Sequence, residues 1–198
     1  VRYVVMLPPI PGRVPYADTW ARAQEYARQI LPLEAQPTYE MDGARAYRVL
    51  WPPAQTSLRI DFGSEAVRAY QGEGWDAPEE IYGASATWAT AREARVFLSL
   101  REPGAYRLTM RAAPFAYPGG PRQTVQVLLN GHPLSPAQAM NEGYQEYAFD
   151  LPPERVKGGL NVVTLRFGYA ARPRDVLPAD LNIGRTGVCA PVDIEVDA

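Results

Sequence analysis

Three carboxylates and three aromatic rings crowd into residues 74–88: Trp75, Asp76, Glu79, Glu80, Tyr82 and Trp88. Such a set suits two chemistries. Paired carboxylates act as acid with base or nucleophile in glycoside cleavage, about 5–5.5 Å apart for retention and about 6.5–9.5 Å for inversion. Flat aromatic faces hold sugar rings, which makes Trp75, Tyr82 and Trp88 candidate ligand-binding residues. A structural reading stands beside both: neighbouring carboxylates are usually solvated, and aromatics beside a glycine in a β-protein usually fill a core or a sheet end. It predicts that Trp75 and Trp88 are buried and that no aromatic-lined cleft is present.

Elsewhere reactive side chains are sparse. His132 is the single histidine and follows the Asn130-Gly131 turn signal; with no nucleophile elbow near it, an exposed turn histidine is expected. Cys189 is the single cysteine, in an apolar Gly-Val-Cys-Ala-Pro setting that predicts a small buried side chain rather than a thiolate. Asp175, Asp180 and Asn182 supply oxygen ligands that a structural calcium ion would accept, at a spacing that matches no calcium-loop motif. No other cofactor is expected, since no phosphate-cradling glycine motif occurs. No residue is assigned a catalytic role.

The elements that position these residues fall into two parts. Residues 1–54 read as a small β-α-β-β unit: a β-prone run Val1–Leu7, a helix capped by Asp18 with Trp20, Ala23, Ala27, Ile30 and Leu31 on one face, then two short runs flanking Asp42-Gly43. From residue 55 to 198 the period is two. Leu58/Ile60/Phe62, Val96/Leu98/Leu100, Tyr106/Leu108/Met110, Val125/Val127/Leu129, Tyr147/Phe149/Leu151, Val163/Leu165/Phe167 and Val192/Ile194/Val196 each line one face of a strand. Turn residues separate them, Pro118-Gly119-Gly120 and Asn130-Gly131 among them. The fold class is therefore mainly β: a jelly-roll-like antiparallel β-sandwich preceded by a small α/β unit, with an immunoglobulin-like topology as the alternative.

With 20 Pro, 16 Gly and 12 Tyr, composition favours short strands over long helices. A net charge of -2 without a basic stripe excludes nucleic acid as a natural partner. No apolar run approaches about 18 residues, so no direct membrane insertion by this segment is expected. The chain begins at Val1, which suggests a piece of a longer protein.

Three separated patterns carry a family resemblance. They are Ala46-Tyr47-Arg48-Val49; Ile60-Asp61-Phe62-Gly63 leading to Gly74-Trp75-Asp76-Ala77-Pro78-Glu79 and then Trp88; and Ile183-Gly184-Arg185-Thr186-Gly187-Val188 with Pro191-Val192-Asp193-Ile194. Together they resemble the extracytoplasmic C-terminal regions of bacterial polytopic membrane glycosyltransferases of the dolichyl-phosphate-mannose mannosyltransferase-like and aminoarabinose-transferase-like kinds. The resemblance implies that Trp75, Glu79 and Trp88 match positions characteristic of that β-sandwich, and on that ground Glu79 joins Trp75, Tyr82 and Trp88 as a candidate ligand-binding residue. Thr87 stands where the pattern often has Arg, so an Arg–carboxylate pair with Glu79 is not expected. The resemblance also implies an extracytoplasmic location, a tether to a membrane-embedded part of the same parent chain, and catalysis residing in that part. The reading at this level is a non-catalytic, glycan-associated accessory domain. Its alternatives are a structural or protein-interaction sandwich and a glycoside hydrolase using Asp76, Glu79 or Glu80.

Overall fold

Residues 3–8, 22–25, 27, 31, 33–50, 54–171, 176 and 188–198 are described by a computed structural model. The chain divides into two units, residues 1–52 and 53–198. In the first, β1 (Tyr3–Met6), β2 (Tyr39–Met41) and β3 (Ala44–Arg48) form a three-stranded antiparallel sheet in the order β1-β3-β2. Residues 22–25 and 27 are helical, and Leu31 N–H donates to Ala27 O at 3.0 Å, an i to i−4 bond. The proposed cap Asp18, with Trp20 and Ile30, lies outside the described residues. Tyr47 and Val49 are buried, whereas Tyr3, Val5, Leu7, Tyr39 and Met41 are each at least half exposed.

The second unit is a sandwich, because seven alternating runs each need a facing layer for their apolar side. One sheet holds β7 (Glu93–Leu100), β9 (Thr124–Leu129), β13 (Gly159–Phe167) and the short β10 (His132–Pro133) and β11 (Gln138–Ala139). The other holds β4 (Leu58–Asp61), β5 (Trp75–Ile81), β6 (Ala84–Ala89), β8 (Tyr106–Pro114), β12 (Gln145–Leu151) and β14 (Cys189–Asp197). Every pairing between these strands is antiparallel. From β7 onward the chain passes back and forth between the two sheets, as in a jelly roll.

Inward faces from both sheets close one core, with Ile60, Leu98, Leu108, Met110, Val127, Leu165 and Ile194 each no more than 1% exposed. Val192 departs from the expected face. The pairing of β14 with β8 shifts between Pro191 and Asp193, and a bulge of this kind turns the extra residue to the other side of the sheet. Val192 accordingly packs against a second, smaller cluster of Ile81, Ala86, Trp88, Phe115 and Ala190. β5 and β6 have no counterpart in the period-two reading. Pro78 and a register shift between Trp75 and Pro78 interrupt their alternation.

Candidate functional site

The 74–88 cluster is a β-hairpin. Gly74 opens it because nothing larger fits: its φ is +91°, and a Cβ there would lie 2.4 Å from Glu93 O. Trp75, half-buried, packs its ring 4.9 Å from Phe62 and donates its indole N–H to Arg95 O at 2.7 Å. Trp88 is 8% exposed, which leaves little ring face for a sugar. Glu79 lies opposite Ala86 and Glu80 opposite Ser85. Consecutive strand residues face opposite sides of a sheet, so these two carboxylates do not face each other across a scissile bond. Asp76 accepts the Ala77 N–H at 2.9 Å. Thr87 is fully buried and donates its hydroxyl to Phe62 O at 2.7 Å, so the position where the family pattern places Arg ties β6 to the residue after β4. Tyr82 alone among the three aromatics is largely exposed, at 62%.

His132 is exposed on β10, and Cys189 is fully buried in the main core, where burial pushes its thiol pKa up. Asp175, Asp180 and Asn182 lie outside the described residues. Among the described residues, no group of three or more His, Cys, Asp or Glu could hold a metal ion. No described helix is long and apolar enough to cross a membrane.

A cleft of about 330 Å³ opens elsewhere, at one end of the sandwich. The loop from β8 to β9 and the turn between β11 and β12 meet there, because Ala139 pairs with Thr124 while Gln145 pairs with Ala112. Tyr117, Arg122, Gln123, Asn141 and Glu142 are among its lining residues. Tyr117 is held on three sides. Phe115 and Tyr169 lie 5.9 and 5.8 Å from its ring, and Gly120 lets the ring close on the backbone, where a Cβ would come within 2.7 Å. Arg122 donates from Nε to Met140 O at 3.2 Å and also to Asn141 Oδ1, joining the two loops. Asn141 N–H donates to the Tyr147 hydroxyl at 3.0 Å. Gln123 forms the floor: it is 2% exposed, donates to Tyr169 O and Val188 O, and accepts from Thr124 N–H and Tyr169 N–H. One half-buried aromatic ring beside a guanidinium, an amide and an exposed carboxylate suits a small polyhydroxylated ligand, and the volume falls in the range of small-molecule sites.

In the sequence Pro118-Gly119-Gly120 reads as a turn between strands, which by itself gives no sign of this cleft. The available signal was Tyr117 and Arg122 flanking a double glycine, since a glycine beside an aromatic can let the ring lie on the main chain.

No protein-family model matches the chain, and no curated protein is similar to it. Solved structures are similar in strand arrangement. A Podospora anserina GH26-CBM35 β-(1,4)-mannanase is 12% identical with a TM-score of 0.46, over 72% of this chain and 27% of that one. A family 35 carbohydrate-binding module from Clostridium thermocellum is 12% identical with a TM-score of 0.43, over 73% of this chain and all of that one. The C-terminal CBM6 of a marine laminarinase from Zobellia galactanivorans is 12% identical with a TM-score of 0.43, over 72% and 99%. This chain thus spans about a quarter of the mannanase and the whole of the two modules.

Proposed function

We propose that this chain is a non-catalytic accessory domain whose β-sandwich binds carbohydrate in the cleft at Tyr117, Arg122, Asn141 and Glu142. The observation that carries the reading is the lining of that cleft: one pinned aromatic ring, against which the C–H face of a sugar stacks, and polar groups at the rim that reach its hydroxyls. Calorimetric titration with soluble mannan, laminarin and xylan tests it, comparing wild type with Tyr117→Leu and Glu142→Ala. Leu at 117 keeps apolar contact with Phe115, and Glu142 is exposed, so both variants should fold. Each is expected to weaken binding on the order of tenfold, the equivalent of about 1.4 kcal/mol. Equal affinity in all three proteins overturns the site.

A second reading, a structural or protein-interaction sandwich, is favoured by one observation: Trp75 and Trp88 pack against neighbours. Wild-type protein that binds no polysaccharide in the same titration supports it. The finer placement, outside the cytoplasm and tethered to a membrane glycosyltransferase, rests on the three motif patterns around Tyr47, Trp75 and Ile194. The full open reading frame tests that placement. Several long apolar spans in it support the tether, and their absence removes it.

A further inference from the structure

Among the described residues, three two-residue hairpin turns have positive φ at both positions: Asp42-Gly43 (50° and 78°), Tyr82-Gly83 (51° and 76°) and Asn130-Gly131 (51° and 86°). Such turns match the twist of their strands but place their first residue in the left-handed region, where Asp, Asn and Gly are favoured. Two of the three obey that rule. Tyr82 breaks it, and a bulky residue at positive φ is an outlier whose strain the surroundings must offset. Burial is a weak offset here, because Tyr82 is 62% exposed.

The ring is nevertheless aimed. It stands edge-on to Trp88 at 6.2 Å and to Tyr144 at 6.4 Å. Tyr144 is itself fixed by donating its hydroxyl to Ile81 O at 2.7 Å, with the Arg111 guanidinium 5.5 Å from its ring. From Tyr82 a line of ring contacts continues through Trp88 and Phe115 to Tyr117 in the cleft, in steps of 6.2, 6.2 and 5.9 Å. Trp88 and Phe115, the two middle rings, are buried. Only the ends of the line are open to a ligand.

We infer that Tyr82 is a second stacking contact for the glycan held in the cleft, which makes the ligand an oligosaccharide spanning both rings rather than a single sugar. The inference rests on the cleft reading above and adds the length of what is bound. The strained turn sets an aromatic side chain at the hairpin tip, a contact that the Asp and Asn of the other two turns would not make.

The test is a ladder of neutral gluco-, manno- and xylo-oligosaccharides, from monosaccharide to hexasaccharide, titrated against wild type, Tyr82→Asn and Glu142→Ala. Asn suits the turn, so Tyr82→Asn is expected to keep its melting temperature or raise it by a few degrees. It should bind the longest ligands on the order of tenfold more weakly and monosaccharides unchanged. Glu142→Ala should weaken binding at every length. Equal affinity of Tyr82→Asn and wild type along the whole ladder overturns the second contact and leaves the cleft standing. A lower melting temperature for Tyr82→Asn together with unchanged affinity for the longest ligands overturns it too, and assigns the ring to packing against Trp88 and Tyr144. Wild-type protein that binds no member of the ladder overturns both readings.

Discussion

The indole of Trp75 is fixed twice, by its ring against Phe62 and by its N–H on Arg95 O. Removing only the second restraint separates a structural tryptophan from a ligand-binding one. Trp75→Phe keeps an aromatic ring and loses the donor. The carbonyl it leaves is not orphaned, since Gly72 N–H also donates to Arg95 O at 2.9 Å. The cost should therefore lie near the net worth of one hydrogen bond plus a little lost ring area, about 1–2 kcal/mol, and not near the larger penalty of an unpaired buried group. Urea unfolding measures it, and affinity for any oligosaccharide should be unchanged. A variant of wild-type stability and lowered affinity would instead place Trp75 in the binding surface. The sequence shows which residue types gather between 74 and 88 but not the fate of each. Whether Trp75, Tyr82 or Trp88 ends up exposed depends on Phe62, Arg95, Phe115 and Tyr144, which arrive from β7 and from the ends of β4, β8 and β12 and leave no local trace.

At the level of strands and turns, the hairpin at Asn130 shows what local pattern cannot reveal. Asn130-Gly131 was legible as a turn, and so was β9 before it, because Val125, Val127 and Leu129 give it one apolar face; β10 after it, His132–Pro133, was not, since both of its residues are exposed. Its connection to β13 was not legible. Asn161, fully buried, accepts from Lys157 N–H at 2.8 Å and from Asn130 Nδ2 at 2.9 Å, and donates to Lys157 O at 2.7 Å and Gly159 O at 3.1 Å. One amide thus closes the loop before β13 and anchors a hairpin 31 positions away. Asn161→Ala removes these four hydrogen bonds, the Asn130 amide keeping only its bond to Arg155 O, and is expected to destabilise by about 2–3 kcal/mol in chemical denaturation. The contrast is Arg166→Ala on the same strand. Its ion pair with Glu93, at 2.8 Å, is roughly half exposed on both sides, so its loss should cost no more than about 1 kcal/mol. Comparable effects from the two variants would mean that the buried amide is not what holds the loop. The bulge in β14 and the hairpin of β5 with β6 escaped the sequence for a related reason. Pro78 and the extra residue at Val192 break the very alternation by which strands are recognised.

At the scale of the second unit, two hydrophobic clusters are built, among the described residues, from positions 58–196. The main core was legible because seven runs alternate. The second cluster was not, because Ile81, Ala86, Trp88, Phe115 and Ala190 come together only when the outer face of one sheet carries an apolar patch beside polar strands. Tyrosines frame that patch and the cleft, and their hydroxyls make the molecule sensitive to alkali. Burial raises the Tyr144 pKa from 10.0 to about 12, with the neighbouring Tyr82 adding to the effect and Arg111 opposing it. Burial likewise raises Tyr147, against the Asn141 N–H and Arg122, and raises Tyr169 with help from Tyr117. A phenol whose pKa is higher in the folded state holds its proton more tightly there than in the unfolded chain. Its contribution to stability is complete below pH 10 and is lost as pH rises through the folded value. Unfolding free energy should therefore show no tyrosine-linked change between pH 8 and pH 10, then fall between about 10 and 12. Ultraviolet titration of the phenolates should show a group of tyrosines ionising late, together with the loss of structure. Ionisation of all 12 near their ordinary value, with the fold intact, would place these hydroxyls in water and remove the linkage. Tyr144→Phe separates the largest contributor, since it gives up the bond to Ile81 O yet should unfold at a higher pH than wild type relative to its own neutral stability.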